Sequence, residues 1–308
     1  DFDYALILSG DQLYQMDFNE MLEAHIDNGA DISIATLPVN AKDAPEFGIL
    51  KTNDANFIEA FIEKPAAELL PQWESDVSEE MKQQGKHYLA SMGIYIFNKK
   101  LLIELMKNPE TKDFGKEIIP QAVGKQKILS YQYEGYWTDI GDIESFFDAN
   151  IGLTNDIPDF NLFDNDNKIY TRPRLLPPSK FKSTHLDNSL ISEGCIINAK
   201  AIKKSVIGNR SRIGEGTVIE NSYIMGNDFY QSLTDMKEDI ENENQLIGIG
   251  ERCYINHALV DKNCRIGNDV YINGGKHLTN CSEELYCIKD GIVVIKKGKT
   301  LPDNFRIE

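Results

Sequence analysis

Two aspartates are the candidate metal ligands of this sequence. Asp11, in the stretch SGD at 9–11, follows the apolar run at 4–8, and Asp139, in WTD at 137–139, follows the run at 128–133. Both runs read as parallel strands, and ligands of open α/β sheets gather beyond the carboxyl ends of such strands. Two carboxylates converging there can hold a magnesium ion through oxygen, beside substrate phosphates. The plainer role is a turn or cap, which aspartate after a strand commonly fills. Lys64, closing FIEKP at 61–65, offers a cation to a phosphate or is simply solvated. Ser91 and Gly93, in ASMGIYIF at 90–97, can touch a sugar or merely relax a strand, and a glycine inside a strand marks close approach to the backbone.

The elements that must position these residues follow an α/β pattern. After the strand at 4–8, Asp17 stands as an N-cap with Glu20 three residues on, and Met21, Leu22, His25 and Ile26 make an apolar stripe closed by Gly29. His25 reads as a partly buried helix residue. A strand at 31–39 completes a parallel strand, helix, strand unit. Further strands are expected near 47–51, 58–62, 89–97 and 128–133, with a helix at 99–107 and a turn into a short helix at 113–120. Residues 66–88 show little periodicity and read as helix and loop. Asp142 is an N-cap for a helix carrying Phe146, Phe147, Asn150 and Ile151. The proline-rich stretch at 155–179 has linker composition. These boundaries divide the chain into 1–154, a linker at 155–182, and 183–308.

Beyond the linker an aliphatic residue returns every five or six positions: Leu190, Ile196, Ile202, Ile207, Ile213, Ile219 and Ile224, then Ile249, Ile255, Val260, Ile266 and Ile272. Neither a helix nor a plain strand has that period, whereas a solenoid of short stacked strands does. Glycine follows the aliphatic residue at Gly208, Gly214, Gly250 and Gly267, supplying the tight backbone of a corner. The acidic stretch at 227–245 interrupts the series and reads as a loop extruded from one corner. The exposed faces and open ends of a solenoid favour oligomers.

At 308 residues and a formal charge of −17, the chain can hold two domains and is a poor partner for nucleic acid or an anionic membrane. No apolar run reaches the roughly 18 residues of a membrane helix. Five cysteines without a C-x-x-C pair read as reduced cytoplasmic thiols rather than a disulfide framework or zinc site.

Several motifs occur in one order: LSGDQLYQMDF at 8–18, FGIL at 47–50, FIEKP at 61–65, ASMGIYIF at 90–97, DFGKEIIP at 113–120 and YWTDIGDIESFFDAN at 136–150. Together with IYTRPRLLPPSKF at 169–181, SVIGNRSRIGEGTVIENSYIMG at 205–226 and DGIVVIKKGKTLP at 290–302, the chain resembles glucose-1-phosphate adenylyltransferase, also called ADP-glucose pyrophosphorylase, over nearly its whole length. The resemblance implies a partial Rossmann-like nucleotidyltransferase domain followed by a left-handed parallel β-helix. It implies reaction of ATP with α-D-glucose 1-phosphate to give ADP-glucose and pyrophosphate, for glycogen or starch. By motif position, Asp11 and Asp139 would bind Mg2+, and Lys64 would hold the sugar phosphate. Gly48, Glu63 and Ser91 would line the glucose pocket. Trp137 would wall it, or be a core aromatic. Lys262 and Lys297 match positions used for anionic allosteric effectors, against a plain reading as solvated coil and basic tail. The family suggests a homo- or hetero-tetramer in the cytoplasm.

The sequence departs from the family pattern in one large respect. The family's glycine-rich loop, whose Arg and Lys embrace the ATP phosphates, lies upstream of SGD, and no stretch here resembles it. The expectation is an N-terminally truncated form, unable to catalyse alone. Gln12, where many relatives carry His, and Thr138 are lesser departures. The competing readings are a nucleotidyltransferase for another sugar, a non-catalytic regulatory subunit, and a hexapeptide acyltransferase using His257, which the other motifs make a surface residue.

Overall fold

The thirteen-residue strand Lys86–Asn98 is the axis of a six-stranded sheet in a computed structural model that describes residues 2–107 and 113–308. Across the sheet the order is Ile58–Glu63, Gly48–Thr52, Lys86–Asn98, Ile32–Asn40 and Ile128–Gln132, with Tyr4–Ile7 pairing the far part of Lys86–Asn98. The long strand is antiparallel to all its neighbours, and Ile32–Asn40 with Ile128–Gln132 is a parallel pair.

This corrects one expectation. Tyr4–Ile7 and Ile32–Asn40 run the same way but are not adjacent, because Lys86–Asn98 lies between them. Tyr4–Ile7 also alternates, with Tyr4 and Leu6 exposed and Ala5 and Ile7 half-buried, rather than being covered on both faces. Its apolar composition hid a strand with one covered face.

The helix Phe18–Asp27 begins as expected, with Asp17 Oδ1 accepting the Asn19 N–H at 2.8 Å. It ends at left-handed Gly29 (φ 57°), whose N–H reaches the Ile26 carbonyl at 3.0 Å. Met21 is fully buried against Ala35, Met92, Ile94 and Ile96. His25 is more than partly buried, at 1% exposure. Its Nδ1 lies 2.7 Å from Ser33 Oγ and its Nε2 3.2 Å from Asn98 Oδ1, so it ties the helix to two strands. Residues 66–88 hold a 3₁₀ turn at Ala67–Gln72 and the helix Glu79–Gln83. Asp113 caps a π-helical turn, Phe114–Ile118, that continues into Ile119–Ala122.

The chain divides into two compact units, Asp1–Trp137 and Thr138–Glu308. The second opens with the helix Ile143–Gly152, capped by Asp142, whose Oδ1 accepts the Ser145 N–H at 2.7 Å. Phe147 and Ile151 of this helix pack on Leu259 and Ile292 of the coil. The coil is three parallel sheets of short strands stacked turn upon turn. Ile202, Ile219, Ile255 and Ile272 share one register column and are fully buried. A hairpin at Cys281–Ser282 and Tyr286–Lys289 adds antiparallel strands beside Ile292–Ile295.

Two details of the repeat differ from expectation. Leu190 and Ile196 are not in the interior column, since Ile191 pairs Ile207 and Ile197 pairs Ile213. Each sits in an aliphatic pair, Leu-Ile or Ile-Ile, and only pairing with the next turn decides which member faces inward. The corner glycines serve close approach rather than unusual φ. A Cβ on Gly214 would lie 2.5 Å from the Gly250 carbonyl oxygen, and one on Gly250 2.5 Å from that of Gly267. All five cysteines are free, and burial raises the thiol pKa of Cys195, Cys253 and Cys264, the last to about 11. Residues 227–245 are more than a loop, since they hold the helix Leu233–Glu241.

Candidate functional site

The site of the first unit grows from a break in the sheet ladder. Ile34 pairs Tyr95 and Thr36 pairs Ser91, so Met92, Gly93 and Ile94 bulge opposite the single residue Ala35. Gly93 carries the turn at φ 68°. What approaches it is the SGDQ loop: a Cβ on Gly93 would lie 3.3 Å from Gln12 Nε2 and 3.7 Å from Ser9 Cβ. The strand glycine therefore admits a neighbouring loop, where a ligand was the sequence-based expectation.

Gln12 links onward, because its Oε1 accepts the Trp137 indole N–H at 3.2 Å. Trp137 meets the Phe47 ring edge-on at 5.6 Å and joins the cluster around Met92 and Ile94 while staying half-exposed, so it is a packed aromatic with an open side. The Phe47 carbonyl accepts the Lys64 N–H at 3.0 Å. Lys64 sits in the left-handed region at φ 45°, a strained conformation for a residue with a side chain. Its ammonium is exposed and has no hydrogen bond or ion pair among the described residues.

Gly48 lies directly across the ladder from Glu63. A Cβ there would stand 2.7 Å from the Phe61 ring and 2.9 Å from Glu63 Oε2, so the missing side chain is what lets the carboxylate lean across the strand. Ser91 Oγ accepts the Gly93 N–H at 3.4 Å. Burial raises the pKa of the neighbouring Tyr95 hydroxyl, a hydrogen bond with Ser91 opposes this, and Asp113 and Glu63 add to the rise. Tyr95 stacks on Phe114 at 5.8 Å, and Asp113 Oδ1 accepts the Lys116 N–H at 2.8 Å.

Gly48, Glu63, Lys64 and Trp137 are thus joined through Phe47, and the Asp11 loop is joined to them through Gln12. Asp11 is exposed, with Ser9 Oγ donating to its Oδ1. Asp139 belongs to the second unit, where it is exposed and accepts the Gly141 N–H at 2.8 Å just before the Asp142 cap. Lys262 and Lys297 come together on one carboxylate: Lys262 Nζ lies 3.0 Å from Asp228 Oδ1 and Lys297 Nζ 3.8 Å from Asp228 Oδ2. His257 Nδ1 accepts from the Asn221 side-chain amide at 2.8 Å, and its ring meets Phe147 edge-on at 4.9 Å, a corner contact of the coil.

Sequence reasoning missed Phe47, Tyr95 and the linking role of Gln12. Phe47 and Tyr95 looked like ordinary strand aromatics. A cavity of about 500 Å³ in the same unit, lined by Asn56, Ser78, Ser130 and Gln132, involves none of the expected site residues.

Residues 1–156 match the family model described as Nucleotidyl transferase. The chain belongs to that family. Residues 174–305 of this nucleotidyltransferase match a second model, the GLGC left-handed parallel beta-helix domain. The pair of domains is the hallmark of glucose-1-phosphate adenylyltransferase, and the first implies nucleotide and sugar-phosphate substrates. Among the described residues of this nucleotidyltransferase, no helix is long and apolar enough to cross a membrane.

Proposed function

We propose that the chain is a glucose-1-phosphate adenylyltransferase, joining the adenylyl group of ATP to α-D-glucose 1-phosphate and releasing pyrophosphate. The observation that carries this reading is the Lys64 ammonium, unpaired among the described residues and held on a strained turn beside the Gly48–Glu63 pair and the open side of Trp137. A sugar phosphate presents what such a group needs: an anion for the lysine, hydroxyls for Glu63 and Ser91, and a ring face for Trp137.

Glucose 1-phosphate requires little help from a base, since a phosphate monoester is mostly dianionic above a second pKa of about 6. Lys64 holds that phosphate and fixes its oxygen for in-line attack on the α-phosphorus of ATP. Gly48 keeps the strand thin enough for Glu63 to reach the sugar, and the Gln12–Trp137 hydrogen bond sets the wall of the pocket.

Asp11 and Asp139 suit a divalent ion. Each uses one carboxylate oxygen in a local turn and leaves the other without a hydrogen bond among the described residues, and oxygen donors suit Mg2+. When bound, magnesium neutralises charge on the transferring and leaving phosphates. Lys262 and Lys297 are read as seats for an anionic effector in a cytoplasmic tetramer.

The test is substrate choice by the protein. Supplied with Mg2+, a panel of nucleoside triphosphates and several sugar 1-phosphates, it is expected to form ADP-glucose fastest. Preference for another base or sugar would refute the assignment.

A further inference from the structure

The segment at 227–245 leaves the coil after Tyr223–Ile224 and returns at Gly248–Ile249, forming a strap. It carries six acidic residues and one lysine. Packing does not hold its central helix down. Its helix Leu233–Glu241 has no buried residue, Leu233 and Ile240 are 78% and 61% exposed, and a cavity of about 660 Å³ lies between Ile240, Glu243–Ile247 and the coil. Polar fasteners hold it instead.

At the returning end, Arg265 Nη1 lies 2.7 Å from Asp239 Oδ2, and Gln231 and Asn244 donate to the same carboxylate. That ion pair is the more sheltered, with the Asp239 side chain 18% exposed. Near the leaving end, the Tyr230 hydroxyl donates to the Gly194 carbonyl at 2.9 Å. Asn227 is tied down as well, its side-chain amide donating to the Arg210 carbonyl at 2.9 Å and its N–H to that of Asn209 at 2.8 Å, and the Gln245 carbonyl accepts from Arg265. A further, charged fastener is Asp228, 39% exposed. Both its oxygens are taken by coil groups: Lys262 Nζ at 3.0 Å on one, Asn263 Nδ2 at 2.9 Å and Lys297 Nζ at 3.8 Å on the other, while its own N–H reaches Asn263 Oδ1 at 2.9 Å.

Two ammonium groups and an amide around one carboxylate leave the seat with an excess positive charge. A phosphate group brings up to two negative charges and three acceptor oxygens, and matches that set better than a carboxylate does. Lysine ammoniums are point charges that accept either. Asp228 holds the seat because it is tethered, which gives it an effective concentration in the millimolar range.

We propose that Asp228 is a built-in competitor in this seat: a phosphate-bearing small molecule displaces it, and the strap loosens as it leaves. The proposal rests on the reading of Lys262 and Lys297 as anion-binding residues and adds the internal anion and the moving part.

Calorimetric titration with inorganic phosphate, at ionic strength held constant with chloride, and hydrogen exchange of residues 229–244 test it together. Wild-type protein is expected to bind phosphate weakly and to exchange the strap several-fold faster when it does. Asp228→Asn should bind phosphate roughly tenfold tighter or more, with a strap that exchanges fast from the start and no longer responds. Glu238→Gln is the control, since it removes a like charge from the exposed helix of the strap without touching a fastener or vacating the seat, and should leave phosphate affinity unchanged. Equal affinity in wild type and Asp228→Asn, with a strap indifferent to phosphate, refutes the competitor while leaving the seat. An equal gain in both variants refutes it too, as a general charge effect. No phosphate binding by any form refutes the seat itself and the proposal with it.

Discussion

The two units are built on opposite principles. In the coil, each turn is specified by its neighbour: Ile202 pairs Ile219 and Ile255 pairs Ile272, each partner one turn away along the chain. In the first unit, the site is stitched from residues far apart, with Gln12 bonded to Trp137 and Gly93 packed against Ser9 and Gln12. A local rule suffices to build a frame, whereas the candidate site depends on long-range pairing that no short stretch encodes. Damage to the coil should therefore cost stability and leave ligand contacts alone, and damage to the first unit should do the reverse.

The largest expected effect is in the coil. Ile255→Ala empties a fully buried position in the column and should cost about 2–5 kcal/mol. Its thermal unfolding transition should drop by several degrees, while glucose 1-phosphate affinity measured below that transition stays at the wild-type value. Loss of affinity in proportion to stability would erase the contrast between the units.

Gly48→Ala sharpens the contrast from the other side. The added methyl would be forced against the Phe61 ring and Glu63 Oε2, an overpacking cost of about 1–3 kcal/mol. Calorimetry should show sugar-phosphate binding lost outright at a modest cost in melting temperature. Unchanged binding would remove Glu63 from the pocket.

Acid sensitivity should reside partly in the first unit. Burial lowers the pKa of His25 below its ordinary 6.5. The unfolded chain then takes up a proton near pH 6.5 that the folded protein refuses until a lower pH, so stability falls as pH drops through that window. The slope is at most about 1.4 kcal/mol per pH unit for one proton. His25→Gln should lower stability at pH 7.5 yet flatten its decline toward pH 5.5, as read from denaturant midpoints. An equally steep decline in the variant would place the acid sensitivity elsewhere.

The smallest effect is expected for Trp137→Phe, which keeps the aromatic packing and removes the hydrogen bond to Gln12. A cost of about 0.5–1.5 kcal/mol should appear in sugar-phosphate affinity and hardly in stability.

The same contrast explains what could be read from the sequence. The solenoid was legible because its period is local and repeated, and only Leu190 and Ile196 were misplaced, each beside an equally apolar neighbour. The caps at Asp17 and Asp142 were legible for the same reason. In the first unit the strands were found but not their order, since Tyr4–Ile7 and Ile32–Asn40 are separated by a strand from much later in the chain. Motif resemblance brought Gly48, Glu63, Lys64 and Trp137 to notice. It could not show that Phe47 and Gln12 connect them, because a backbone carbonyl and a side-chain amide leave no signature in composition. Nor did the acidity of residues 227–245 reveal that Asp228 would settle between Lys262 and Lys297.

The central claim is that the first unit carries the sugar-phosphate pocket around Lys64. Hydrogen exchange of this chain, with and without saturating glucose 1-phosphate, measures it most directly. Protection is predicted around 9–12, 47–48, 61–64 and 91–95, and Lys64→Ala should abolish it at the same ligand concentration while leaving the coil unaffected. Protection confined to the coil, or protection at those segments that survives Lys64→Ala, would contradict the account.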